Sequence, residues 1–308
     1  MAILGAGRVG RELGRRLRLL GWRIGSVVTR RVASARAAVR WIGGGEAGSK
    51  FSAEMLAADL LLIAVPDRAI AGVAGEIAAF GGRDRKRGRE HRRGVRAARG
   101  IALHTSGSLS HEVLAPLRAA GFAIGAMHPM QTFGRNGRPD FAGSVFGLDG
   151  DARAVKLARE IAKALGGTPV EIDARRKAAY HCAGGFAAQH VLAVMEAGIQ
   201  LLRDVGLTRE QAARSLCKMA RQTLDNLERH GAEAAWSGPV ARGDFATVRK
   251  HTEVLRKYPA DFLAAYEALT RLVVRLVARQ PDRILRELRG VSRGESQKRK
   301  TKRRRGVR

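Results

Sequence analysis

Cysteine is scarce: 308 residues hold two, Cys182 and Cys217. Two thiols give neither a disulfide framework nor a zinc-ligand spacing, so a reducing, cytoplasmic compartment is the expectation. Aromatic residues make up 5% of the chain, and none is interleaved in its basic stretches, which argues against stacking platforms for nucleic-acid bases. Long hydrophobic runs are missing as well. The longest uncharged stretch, Ala178 to Met195, contains His181, Gln189, His190 and two adjacent glycines. It is therefore expected to be a buried helix and no membrane span. The first residues read as a buried strand and a glycine turn, so no signal peptide is expected.

Acidic residues are also few, 28 against 57 Lys and Arg, for a net charge of +29. The excess is unevenly placed. Segment 83–99 carries nine basic residues against two acids, a net +7, and segment 289–308 carries ten against one, a net +9. These two low-complexity stretches read as solvated segments. The functional alternative is weak, non-specific association with nucleic acid or anionic surfaces at low salt.

What is present fits a globular chain of one large or two medium domains, with 45% hydrophobic residues. Residues 1–172 alternate short apolar runs with amphipathic stretches, the signature of a parallel sheet wrapped by helices. Strands are expected at Ala2–Leu4, Ile24–Val28, Leu60–Val65, Ile101–His104, Ala123–Met127, Val145–Leu148 and Pro169–Ile172. One helix carries Leu13, Leu17 and Leu20 on one face, and another runs over Ala152–Leu165 to a Gly166-Gly167 stop. The first strand is short, with three residues between Met1 and Gly5; either it is clipped or the true start lies upstream. From Ala174 the pattern is helical only. A long apolar helix is expected over Lys177–Val205, and Thr208-Arg209-Glu210-Gln211 reads as a capping box. The next helix ends near Gly231. Asp244 caps a third, a fourth covers Ala260–Arg279, and Pro281 opens a short last one. The fold class is thus α/β, a doubly wound Rossmann sheet (1–172) followed by an all-α domain (173–288) and a disordered basic tail (289–308).

Four polar motifs lie along this frame. Gly5-Ala6-Gly7-Arg8-Val9-Gly10 follows a strand and opens a helix, the setting in which glycines allow a tight turn and bring a pyrophosphate to the helix N-terminus. The second strand ends in Val28-Thr29-Arg30-Arg31, with no carboxylate for ribose hydroxyls. Guanidinium groups suit a 2′-phosphate, which favours NADP over NAD. Val65-Pro66 closes a central strand at its ligand-binding edge, as a loop beneath the cofactor or as a plain turn. His104-Thr105-Ser106-Gly107 and His128-Pro129-Met130-Gln131-Thr132-Phe133 end two further strands at the same edge. A histidine there has the proton affinity for the acid–base step that accompanies hydride transfer, and His128 is the preferred one of the two. Ser106 and the Gly107 amide are candidates to hold a substrate oxygen. Lys177 and His181 share a helix face with Tyr180 beside them. Ser237–Asp244 is a fixed loop aimed at a helix N-terminus, and its Arg242 is a bidentate carboxylate donor.

In order and spacing these motifs resemble the Rossmann-like proteins that carry the C-terminal domain of unknown function 2520. These are similar to pyrroline-5-carboxylate reductase, prephenate dehydrogenase and the 6-phosphogluconate/β-hydroxyacid dehydrogenases. The resemblance covers about residues 1–280. It implies an NAD(P)-binding domain, a helical domain that often builds a homodimer, and a cleft between them. By the same resemblance Lys177 matches the catalytic lysine of β-hydroxyacid dehydrogenases, and His181 stands at their usual asparagine. His128-Pro129 matches the prephenate dehydrogenase His-Pro element, and Ser106 matches a substrate-contacting serine. Gln189 and Ser237 depart from the family's asparagine and threonine, and residues 81–100 look like an insertion. The combined expectation is an oxidoreductase acting on a small carboxylate-bearing hydroxy acid or imine, with a non-catalytic NADP sensor as the alternative.

Overall fold

A computed structural model describes residues 1–89, 100–134 and 139–290. Most of the basic segment 83–99 and the tail beyond residue 290 fall outside these residues, and with them the expectations of an insertion and of a disordered tail. The chain divides into two compact units, Met1–His190 and a second beginning at Val191. The first unit runs past the expected boundary at 172 because the helix that follows buries Lys177 and half-buries Tyr180 within it.

The first unit opens with β1 (Ala2–Leu4), α1 (Arg8–Leu19), β2 (Ser26–Val28), α2 (Val32–Ile42), β3 (Glu46–Gly48), α3 (Ala53–Leu56), β4 (Leu60–Ile63) and α4 (Asp67–Arg89). β5 (Ile101–His104), a 3₁₀ helix over His111–Arg118, β6 (Ala123–Pro129), β7 (Val145–Gly150), α5 (Ala152–Ala164) and β8 (Thr168–Glu171) follow. The unit closes with α6 (Lys177–Gly185) and a π-helical turn, Phe186–His190. The eight strands form one sheet in the order β3-β2-β1-β4-β5-β6-β7-β8, with every pair parallel except β6–β7. Its first six positions are the doubly wound order, in which the crevice between β1 and β4 is the switch point.

β4 shows why a short apolar run suffices to make a central strand. Leu60 and Leu62 enter one core cluster and Leu61 and Ile63 another, all four fully buried. A strand covered on both faces has no polar side to alternate with. Register then sets the working edge. Leu4 pairs with Val28 and Ile63, and Ile63 with His104, so Gly5, Thr29, Ala64 and Thr105 all leave the sheet at one level. β3 was not expected from the sequence. Leu20, expected on the buried face of α1, is the exposed residue that ends it.

The second unit contains α7 (Val191–Asp204), α8 (Arg209–Ala235), α9 (Phe245–Leu255) and α10 (Ala260–Val277), with a further helical stretch from Pro281. Thr208 and Gln211 form the expected capping box, Asp244 caps α9 through Thr247 N, and Gly231 breaks α8 with a φ of 79°. The core of this unit is small, centred on Val240, Val248, Val274 and Leu285. That corrects one expectation. The apolar helix 177–205 is not buried: only 6% of its most apolar window is covered, and Phe186, Val191, Leu192 and Val194 face outward. Composition showed that these side chains need cover, but the small core beside them does not supply it. By length and composition the stretch Ala174–Asp204 also passes for a membrane span, although its first turns pack on the sheet through Lys177 and Tyr180.

The glycine turn gives a direct test of this packing. A Cβ on Gly10 would stand 2.2 Å from the Gly5 carbonyl oxygen and 2.9 Å from Ala64 Cβ, and backbone cannot swing aside as a flexible side chain can. Gly10→Ala is expected to cost about 1–3 kcal/mol in chemical denaturation through forced separation of α1 from the sheet.

Candidate functional site

The C-terminal edge of the sheet gathers most of the residues expected to act. Gly5 begins the turn after β1 with a φ of +80°, and Val65 Cγ1 stands 2.6 Å from where its Cβ would be. Gly10 closes α1 tightly onto that turn. Gly7, between them, has no protein atom within 4 Å of its would-be Cβ. It caps α1 with no side-chain hydrogen bond, and no acidic residue stands in the first turn. The amides at the start of α1, with those of Arg8 and Val9 among them, thus border open space beside Ala6 and Gly7, a fit for the phosphates of a dinucleotide. Arg8 donates to the Phe133 carbonyl at 2.9 Å, tying this turn to the loop after β6. At the end of β2, Thr29 Oγ1 donates to the Arg31 carbonyl, and the Arg30 and Arg31 side chains are exposed. Pro66 follows β4 and leads into Asp67.

His104 and Ser106 are consumed by the loop they belong to. His104 is fully buried. Its Nδ1 accepts from Ser106 N at 3.2 Å, which leaves Nε2–H to donate to Ser110 O at 3.2 Å. Burial first, and the nearby Lys177 charge second, push its pKa down to about 4. The ring is a neutral strut between two backbone groups. Ser106 Oγ donates to Asp67 Oδ2 at 2.7 Å and accepts from the amides of Ser108 and Leu109. Ser108 Oγ donates to the same carboxylate oxygen. Together they lock the loop after β5 to the start of α4.

His128 lies where β6 outruns β5, opposite Gly147 of β7. Tyr180, from α6, reaches across to it. The Tyr180 hydroxyl lies 3.1 Å from His128 O, 3.2 Å from His128 Nδ1 and 3.2 Å from Gly147 N. One hydrogen-bond pattern satisfies every group. The hydroxyl donates to His128 O and accepts from Gly147 N–H and from His128 Nδ1–H. His128 is then the Nδ1–H tautomer, with a lone pair free on Nε2. Burial first, then His181 and Lys177, lower its pKa to about 4, so the imidazole is neutral near pH 7, with an unprotonated Nε2. His181 packs edge-on to His128 with ring centroids 5.8 Å apart. Gly107 sits beneath both rings: a Cβ there would lie 2.8 Å from His181 Cδ2 and 2.9 Å from His128 Nδ1. No larger residue fits.

Lys177 is buried, and its Nζ lies 3.5 Å from Asp149 Oδ2. Desolvation lowers its pKa, and the Asp149 carboxylate opposes that shift. The structure thus brings Ser106, Gly107, His128, Lys177 and His181 to one edge. Arg242 belongs to the second unit, exposed on the turn before α9, where its backbone N donates to Gly238 O. Gln189 is exposed on the π-helical turn and touches His190. Sequence reasoning placed Tyr180 beside the pair without giving it a task, and it missed Asp67 and Asp149.

Two neutral histidines carry a cost that depends on pH. Both bind a proton more weakly in the folded chain than at the ordinary 6.5. From about pH 6.5 down to about 4 the unfolded chain holds the extra protons, so stability falls as pH falls, and above 6.5 the two rings contribute no slope. For fully buried His104 the loss is on the order of 3 kcal/mol. Denaturation midpoints measured from neutral pH down to about 4 should drop accordingly, with a shallower slope in His128→Asn.

Comparison with known proteins agrees with this architecture. A family model described as a Rossmann-like domain matches residues 1–129, and one described as Domain of unknown function (DUF2520) matches residues 144–273. No match was found among curated proteins. Among solved structures the fold is similar to TM1727 from Thermotoga maritima, at 23% identity and a TM-score of 0.63 over 91% of this chain and 98% of that one. BF3122 from Bacteroides fragilis, provisionally named an NADP oxidoreductase, is similar at 22% identity and a TM-score of 0.67 over 88% and 96%. The reductive aminase from Aspergillus terreus, solved with NADPH and ethyl-5-oxohexanoate, is similar at 16% identity and a TM-score of 0.57 over 89% and 93%. The chain thus joins a segment similar to the Rossmann-like domains, residues 1–129, to one similar to the domain of unknown function 2520, residues 144–273.

Proposed function

We propose that the protein is an NADP-dependent oxidoreductase acting on a small carboxylate-bearing hydroxy acid or imine. The observation that carries the reading is the neutral His128, held by Tyr180 with its free nitrogen at the ligand edge of a dinucleotide-binding sheet. When bound, a nicotinamide dinucleotide supplies or accepts the hydride. Everything else falls to the chain's own residues. Gly5, Ala6, Gly7, Arg8, Val9 and Gly10 hold the phosphates. Thr29, Arg30 and Arg31 favour a 2′-phosphate over bare ribose hydroxyls, since no carboxylate stands there. Val65 and Pro66 floor the crevice.

His128 takes the substrate's hydroxyl proton on Nε2 in the oxidative direction. In reduction that proton returns to the product oxygen or nitrogen. Lys177 places a positive charge near the developing oxyanion, and exposed His181 widens the protic surface next to His128. Because Ser106 Oγ is engaged with Asp67, its role is to shape the loop so that the Gly107 amide meets the substrate. Arg242 is proposed as a carboxylate donor of the second unit. The provisional naming of BF3122 as an NADP oxidoreductase, and the NADPH bound in the A. terreus aminase, support this choice of cofactor.

We further propose that the active form is a homodimer built through the second unit. Leu192 and Val194 of α7, Met219, Leu224 and Leu227 of α8, and Leu269, Leu272 and Leu276 of α10 are exposed. They far outnumber the small core beside them. Charges of both signs accompany them, as in the pairs Arg209–Glu196 and Arg271–Glu267. That mixture suits a self-complementary isologous contact better than an anionic membrane surface. Light scattering on the purified chain should give twice the monomer mass, and Leu224→Glu should give a monomer. A monomeric wild type that partitions into anionic vesicles would refute the dimer.

The cofactor has its own test. Gly7→Ala meets no protein atom, so its thermal midpoint should equal that of the wild type, while NADPH affinity should drop by at least about tenfold, or 1.4 kcal/mol. The wild type should bind NADPH more tightly than NADH. Equal NADPH binding by Gly7→Ala and wild type, or no binding by either, would remove the oxidoreductase reading.

A further inference from the structure

We infer that Asp149 is the positioning residue of Lys177, and that His111 is the group that aims it. The inference deepens the oxidoreductase reading, on which its catalytic meaning rests. Asp149 lies on β7 opposite Ala126 of β6. Its two carboxylate oxygens have separate tasks. Oδ1 accepts from His111 Nδ1–H at 2.8 Å. Oδ2 accepts from the His111 backbone N–H at 3.0 Å and stands 3.5 Å from Lys177 Nζ. The carboxylate is therefore clamped by one residue, ring and backbone together, with its remaining capacity turned on the lysine.

The clamp has a chemical consequence. A lysine as buried as Lys177 loses its proton unless a counter-charge stands beside it. The ionisable groups facing it are Asp149 from β7, His104 from β5 and His128 from β6. Both histidines are neutral near pH 7, and the Asp67 carboxylate acts on those two rings. Among the described residues the one ion pair of Lys177 is with Asp149. Burial on its own would raise the Asp149 pKa. The bonds from His111 and the Lys177 charge outweigh it and hold the group below its ordinary value, as a carboxylate. On the far side, His111 Nε2 faces Glu112 Oε1 at 3.0 Å. The ring thus stands between two carboxylates. Asp149 keeps Lys177 charged, so that His128 remains the group that moves the proton and Lys177 its electrostatic partner.

The test follows the Lys177 side chain in the full-length protein labelled with ¹³C at lysine Cε, titrated by NMR without cofactor or substrate. Asp149→Asn keeps the shape and an acceptor for the His111 amide but removes the charge. The Lys177 midpoint is expected to fall by about one pH unit or more, a tenfold change in its acid dissociation constant. His111→Ala is expected to lower it less. His111→Asn, whose amide nitrogen takes the place of Nδ1, should return it toward the wild-type value. A purely architectural Asp149 would leave the midpoint where it is. An unchanged Lys177 midpoint in folded Asp149→Asn overturns the inference. Should that variant not fold, equal midpoints in wild type and His111→Ala overturn it instead. Because no cofactor enters the titration, a failure of NADPH binding counts against the oxidoreductase reading alone.

Discussion

A single phenolic oxygen organises the ligand edge of the first unit. Tyr180 OH meets the carbonyl of His128, the ring of His128 and the amide of Gly147, which belong to two antiparallel strands. Among the described strands those two are the antiparallel pair, and β5 ends short of His128, so no strand ties down that side of β6 at this point. The hydroxyl does so instead, and it brings α6 with it. Gly147 is part of the same constraint. A Cβ there would stand 2.8 Å from the Tyr180 ring carbon that bears the hydroxyl, so only glycine lets the phenol reach the strand. With Tyr180 in place, Lys177 one turn earlier is carried inward to Asp149, and His181 is set against His128. Three candidate groups on one helix thus take their positions from one hydrogen-bonded contact.

Much of this was legible in the sequence where chemistry and local pattern coincide. Short apolar runs marked β1 and β5 with their observed bounds, because a strand buried on both faces must be apolar throughout. The glycine turn was legible because each glycine answers a different geometric demand: positive φ at Gly5, open space at Gly7, and backbone contact at Gly10. β3 was not legible. Glu46-Ala47-Gly48 has no apolar period, and it is a strand only because β2 offers it an edge to pair with. The spacing of Lys177, Tyr180 and His181 showed that they share a region of one helix, but it could not show that the sheet lay beneath them.

Asp149 and His111 were invisible for another reason. They are 38 residues apart, one at the end of a strand and the other at the start of a 3₁₀ helix. No periodicity links such positions, and only the packing of the 3₁₀ helix against β6 and β7 brings them together. The apolar helix after Lys177 failed in the opposite way. Its composition was read as that of a buried helix, but hydropathy does not say whether the same chain covers it. A side chain's appetite for burial is a local property, whereas its partner is a property of the fold or the assembly.

The two buried histidines illustrate how one solvent condition produces different chemistry. Desolvation lowers His104 and His128 alike, to about 4. At His104 both ring nitrogens are spent on backbone groups, so neutrality is simply the state that the loop's hydrogen bonds require. At His128 only Nδ1 is spent, and the same neutrality leaves a lone pair on Nε2 at the sheet edge. The difference is not in the pKa but in whether a lone pair is left over. Lys177 follows the complementary logic: burial acts to discharge it and Asp149 acts to keep its proton. An uncharged imidazole and a paired ammonium thus share one edge, the first held by Tyr180 of α6 and the second by Asp149 of β7.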